Sequence, residues 1–187
     1  MLLALLQAVG AWLFVRALSV RWKNPYGQTL LYLLLLFSPI SLTQLVTQRQ
    51  YRMAIVHGMV LVVFSGMIGV TLRKELPLKK QLPWAVLTGM ALAFFWQIRE
   101  DSVWILPFIA VMTVWNVGYV ILALHNKRTG RQLLLQCFIL LLPILLLFGG
   151  NITISAINQV HYGVFLTNDR TEGNFAELMS LFYHLQG

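Results

Sequence analysis

Arg99, Glu100 and Asp101 stand side by side in FFWQIREDSVWILPF, between two runs of apolar and aromatic residues. A carboxylate can accept a proton from a hydroxyl, and a guanidinium offers paired donors that match phosphate oxygens. Arg49 and Arg52, in TQRQYRMAIVH, supply two more guanidinium groups, with His57 about 7.5 Å of helix beyond Arg52. His161, beside Asn158 and Tyr162 in INQVHYG, adds a third polar group. One expectation for the combination is that Glu100 or Asp101 positions and deprotonates a sugar hydroxyl, while Arg49, Arg52, His57, Arg99 and His161 hold phosphate or glycan. Plainer roles fit the same residues: a local salt bridge or helix cap at 99–101, and a His57 imidazole bonded to a backbone carbonyl. The isolated histidines lack metal-ligand spacing, and no phosphate loop, dinucleotide fingerprint, zinc helix or nucleophile elbow is present, so neither a metal nor a cofactor is expected.

Six apolar stretches must position these groups. Of the 187 residues, 58% are hydrophobic and 11% charged, with six tryptophans, a composition far from the quarter or so of charged residues usual in soluble domains. Crossing about 30 Å of hydrocarbon takes roughly 20 helical residues. The stretches 2–20, 29–46, 54–72, 82–98, 103–124 and 132–154 meet or approach that length. They must be helices, because backbone groups in lipid have to bond within their own segment and none of these runs alternates as a barrel strand does. The expected fold is an all-α polytopic transmembrane bundle of about six spans over 1–155. An extracytoplasmic segment over 156–187 follows, with a short interfacial helix near 175–185 that opens on a capping pattern at Asn174 and Glu177.

The chain has 14 Lys and Arg against six acids, a formal charge of +8. These charges cluster between apolar runs, which points to the excess of Lys and Arg in cytoplasmic loops and away from nucleic acid. An extracytoplasmic N-terminus puts Arg16, Arg21, Lys23, Arg73, Lys74, Lys79, Lys80, Lys127, Arg128 and Arg131 inside, and Arg49, Arg52, Arg99 and Arg170 outside. Five of the six acids, all but Glu75, then also fall outside. The expected location is a cell membrane, multi-pass, in a bacterial inner or plasma membrane, with both termini extracytoplasmic. The N-terminal run has neither the positive n-region nor the cleavage site of a signal peptide and reads as a retained span.

Small residues predict where helices approach closely: Ala85, Gly89 and Ala93 on the fourth stretch, and Gly58, Gly66 and Gly69 on the third. Asn116 is the clearest uncharged polar residue deep in a span and is expected to bond another helix. Cys137, the only cysteine, lies in an apolar run and excludes an intrachain disulfide. Tyr51, Trp96, Trp104 and Tyr162 suit headgroup depth at the outer boundary.

At REDSVW and HYGVFLTND…EGNF the chain resembles parts of bacterial multispanning membrane proteins of the GT-C glycosyltransferase type and their relatives, over roughly residues 47–177 in layout. That resemblance implies a lipid-linked, polyprenyl-phosphate-borne sugar as donor and a reaction at the extracytoplasmic face. The class commonly carries an acid in its first large extracytoplasmic loop. This chain has no such loop before Arg49, so Glu100 and Asp101 are candidates from their chemistry alone. The abrupt ends are those expected of a piece of a longer chain or of a small subunit with membrane-protein partners. Alternative readings are a non-enzymatic assembly or scaffold subunit and, third, a transporter component.

Overall fold

A computed structural model describes residues 2–38, 53–98, 102–124, 128–167 and 181. The described chain is helical: α1 (Leu2–Leu18), α2 (Pro25–Leu36), α3 (Met53–Leu72), α4 (Leu78–Ile98), a short 3-10 turn (Ser102–Ile105), α5 (Leu106–Leu124) and α6 (Gly130–Tyr162). Local sequence sets several of these bounds. The Asn24 side chain accepts from the N–H groups of Tyr26 (3.1 Å) and Gly27 (3.4 Å), and Pro25, whose missing donor is harmless there, opens α2. At the far end Gly163 takes the left-handed conformation, φ 74°, that closes α6.

Among the described residues three helices are long and apolar enough to cross a membrane, through Ile55–Leu72, Ser102–Leu124 and Gly130–Tyr162, rather than the six expected. The shortfall has local causes. α1 is apolar but has 17 residues. α2 is described as helix for 12 residues, and the 39–46 portion of its stretch lies outside the described residues. α4 has 21 residues but carries Gln81, Pro83, Thr88 and Gln97, which lower its hydropathy. Gln81 and Thr88 are fully buried against protein, so α4 has polar residues that lipid does not meet.

Side-chain contacts fix the direction of each helix. Gly58 lies against Leu6, Gly10 against Leu61, and Arg73 against the carbonyls of Arg16 and Ala17, so α1 and α3 run parallel. Gln7 Nε2 donates to Leu35 O (2.9 Å), which sets α2 antiparallel to α1. Gly66 abuts Thr88 and Gly69 abuts Trp84, making α4 antiparallel to α3. Gly89 meets Leu146, Gly150 meets Ala93 and Gln97 Nε2 donates to Asn151 Oδ1 (2.7 Å), so α6 is parallel to α4. The edge-on contact of Phe64 with Phe108, 4.3 Å between centroids, and the bond from Asn116 to Thr71 align α5 with α3. Successive helices therefore alternate in direction.

The close approaches fall at the small residues that the sequence marks. Gly89 and Ala93 face α6, while on α3 Gly58 faces α1 and Gly66 and Gly69 face α4. Between these contacts sit two apolar clusters. One joins Val63, Met67, Leu92, Phe95, Ile105 and Ile109, and the other joins Val70, Ala85, Val120, Leu124, Ile139 and Leu140. Asn116 stands at the junction between them, on the buried face of α5.

Candidate functional site

Alternation collects every described lysine and arginine at one end of the bundle. Arg16, Arg21 and Lys23 follow α1, Arg73 and Lys74 follow α3, Lys79 and Lys80 open α4, and Arg128 and Arg131 flank the start of α6. Glu75 is the acid among the described residues there.

Of the residues expected to do chemistry at the opposite end, Arg49, Arg52, Arg99, Glu100 and Asp101 lie outside the described residues, as do Tyr51 and, Leu181 apart, the expected helix at 175–185. His57 is half-buried on α3, and its Nε2 is enclosed without a hydrogen-bond partner among the described residues. His161 is exposed on the last turn of α6, its ring tilted beside Tyr162. The pairings of Gly66 with Thr88 and of Gln97 with Asn151 set His57 roughly level with Asn151, so His161 lies about 15 Å farther along α6. The two described histidines are therefore not brought together. Beyond Asn151, α6 continues without a break to Tyr162. The chain then folds back along it, where Asn158 Nδ2 donates to Leu166 O (2.7 Å) and the Ser155 and Thr167 hydroxyls pair (2.9 Å).

The densest polar construction stands at the basic end instead. Arg73 is buried where α1 and α3 finish: Nη1 donates to Ala17 O (3.1 Å) and Gly69 O (3.2 Å), Nη2 to Arg16 O (2.9 Å), and the guanidinium lies 4.4 Å from the Trp84 ring centre. Burial, and then the neighbouring Arg16, lower its pKa from the ordinary arginine value, while the surrounding carbonyls sit at the negative ends of two helix dipoles.

A second network ties the link between α3 and α4 to α6. The buried amide of Gln136 donates to Lys74 O (2.5 Å) and to Gln81 Oε1 (3.4 Å), and Gln81 Nε2 donates to Leu76 O (2.7 Å) and Lys74 O (3.3 Å). Arg128 Nη1 donates to Gln136 Oε1 (2.6 Å), and Nη2 reaches the carbonyls of Glu75 and Leu76 (both 3.2 Å). Beside it the Tyr119 hydroxyl donates to Glu75 Oε1, and the Lys74 ammonium lies 3.7 Å from the Tyr119 ring centre and 5.9 Å from that of Trp115. Desolvation is the main cause that lowers the Lys74 pKa, opposed by Glu75 and assisted by Arg21. A cavity of about 370 Å³, lined by Glu75, Tyr119, Leu124 and Arg128, opens among these groups.

The sequence gives faint signals for this network. Gln81 and Gln136 are amides in apolar runs, as Asn116 is, and Trp115 and Tyr119 share a helix face at a spacing of four. Asn116 does bond across helices, Nδ2 to Thr71 Oγ1 at 2.8 Å, but its Oδ1 and the neighbouring Thr113 hydroxyl are buried without partners among the described residues.

No family model, no curated protein and no solved structure matches the chain. Its helices, their apolar surfaces and the gathering of basic residues at one end identify an all-α, polytopic membrane protein.

Proposed function

We propose that the chain threads a bacterial inner or plasma membrane six times, with its basic end in the cytoplasm and both termini outside, and takes part in sugar transfer from a polyprenyl-phosphate-linked donor at the outer face. The observation that carries this reading is the alternation of the helices. The start of α3, the end of α4 and the 3-10 turn that follows belong to the end opposite the basic cluster. The chain leading to Arg49 and Arg52 and the chain leading to Arg99, Glu100 and Asp101 thus depart from one end of the bundle. Arg49 or Arg52 binds donor phosphate there, and Glu100 or Asp101 accepts the proton of the sugar acceptor.

A photoreactive polyprenyl-phosphate sugar, added to membranes carrying the protein, tests the assignment. Labelled peptides from 47–57 and 97–104, lost on combined Arg49→Gln and Arg52→Gln substitution, are the expected result. Labelling spread evenly over the lipid-facing helices, and indifferent to that substitution, refutes it.

A second reading, an assembly subunit for a larger membrane complex, is favoured by α2, which has no buried residue, and by the largely exposed surfaces of α5 and α6. Cross-links from cysteines on α2 to another protein, with complex function retained after Glu100→Gln and Asp101→Asn, support it over the enzyme.

A further inference from the structure

The cavity at the basic end lies apart from the residues assigned to sugar transfer, beside the network that ties the link between α3 and α4 to α6. Arg128 lines the cavity, its guanidinium held on one edge by Gln136 Oε1 (2.6 Å) and on the other by Glu75 O and Leu76 O (3.2 Å each). Three N–H groups hold the fork in place, so its orientation is set before any ligand arrives. Glu75, Tyr119 and Leu124 line the rest of the cavity, and the Lys74 ammonium stacks 3.7 Å from the Tyr119 ring centre. At about 370 Å³ the space is near the lower end of ligand-sized cavities, enough for a headgroup but not for a whole lipid.

Two further features identify the class of ligand. The first is charge. Lys74 and Arg128 face Glu75, whose carboxylate is engaged by the Tyr119 hydroxyl, and Arg16, Arg21, Lys23, Arg73, Lys79, Lys80 and Arg131 surround this end, so the local field attracts anions. The second is the neighbouring surface. Trp115 is 65% exposed and Leu122 85% exposed on the same helix, α5, so the cavity opens beside an apolar helix face along which acyl chains can lie. A soluble anion has no use for that face. Basic pockets between transmembrane helices at the bilayer boundary recognise anionic headgroups in this way.

We infer that the cavity bounded by Glu75, Tyr119, Leu124 and Arg128 binds the phosphate of an anionic phospholipid headgroup, with Arg128 as the cation in its lining and Lys74, stacked on the lining Tyr119 ring, as the cation that reaches in beside it. The inference rests on the cavity lying at the bilayer boundary. It does not depend on which side of the membrane that is, nor on sugar transfer.

Native mass spectrometry of the purified full chain, in mixed micelles with equal phosphatidylglycerol and phosphatidylethanolamine, tests it. The wild-type protein retains phosphatidylglycerol preferentially. Lys74→Gln and Arg128→Gln each weaken retention roughly tenfold, as loss of one charge-assisted contact implies. Lys80→Gln, at the same end but neither in the cavity lining nor stacked on Tyr119, leaves retention unchanged. Arg128 also braces the link between α3 and α4, so Lys74→Gln carries the test if Arg128→Gln does not fold. Glu75→Gln strengthens retention or leaves it intact, because it removes a like charge; loss of the lipid in that variant points to an ammonium headgroup and overturns the assignment. Equal retention of the two lipids by wild type overturns it as well, as does a Lys74→Gln protein that behaves like Lys80→Gln. Displacement of retained lipid by millimolar glycerol 3-phosphate supports phosphate recognition. Binding of glycerol 3-phosphate without any lipid preference refutes the lipid as its source.

Discussion

Arg73→Met removes the charge that joins α1 to α3 while keeping most of the side-chain stem. Three hydrogen bonds from a charged donor, to Arg16 O, Ala17 O and Gly69 O, are lost at about 1.5–3 kcal/mol each. Loss of the favourable end-charge effect at two helix C-termini adds about 0.3–1 kcal/mol apiece, and the contact with Trp84 about 0.5–2 kcal/mol. Against these stands the desolvation of a buried guanidinium, several kcal/mol, which the substitution relieves. The balance is a destabilisation of roughly 2–4 kcal/mol, and about half that for Arg73→Lys, which keeps the charge but loses the fork. Thermal unfolding in detergent measures the total, and limited proteolysis at residues 19–24 reports whether α1 loosens from α3. An Arg73→Met protein within about 0.5 kcal/mol of wild type, a difference typical of an ordinary surface substitution, with α1 still protected, refutes this account of the junction.

Three other outcomes follow from the packing and the charge pattern. In Gly89→Ala the new methyl meets Leu146 Cδ1 at 2.6 Å and Cβ at 2.8 Å, so α4 and α6 must separate, at a cost of about 1–3 kcal/mol; Gly118→Ala, with nothing within 4 Å, gains about 0.5–1 kcal/mol, and equal stabilities for the two variants contradict the close approach. Thr113→Val replaces a buried, unpartnered hydroxyl by a methyl and raises stability by about 1 kcal/mol, whereas Asn116→Leu, which breaks the bond to Thr71, lowers it; destabilisation by Thr113→Val reveals an ordered water or other partner at that hydroxyl. With Cys137 replaced by alanine, membrane-impermeant reagent applied from outside labels a cysteine at the exposed position His161 and spares one at Lys80, and the reverse pattern inverts the orientation.

Much of the architecture can be read in the chain because membrane insertion depends on quantities local to a segment: length, hydropathy and flanking charge. The apolar runs, the small residues at helix contacts and the segregation of Lys and Arg are of that kind. Their agreement with the structure at Gly89, Gly66 and Gly58 follows from geometry, since backbones approach where no side chain intervenes. Hydropathy ranks α4 below α5 and α6. It measures suitability for lipid, and Gln81 and Thr88 on α4 face protein.

By itself, the sequence determined that helices form, where they approach closely and that basic residues gather between alternate ones, because each property is written in a contiguous stretch. Only the tertiary structure decided that Arg73 closes the ends of two helices, that Gln136 meets Gln81 and Lys74 across more than fifty residues, and that Arg128 and Tyr119 enclose a cavity with Glu75. A hydrogen bond between distant segments leaves no local periodicity, so its partners become visible when packing brings them within about 3 Å.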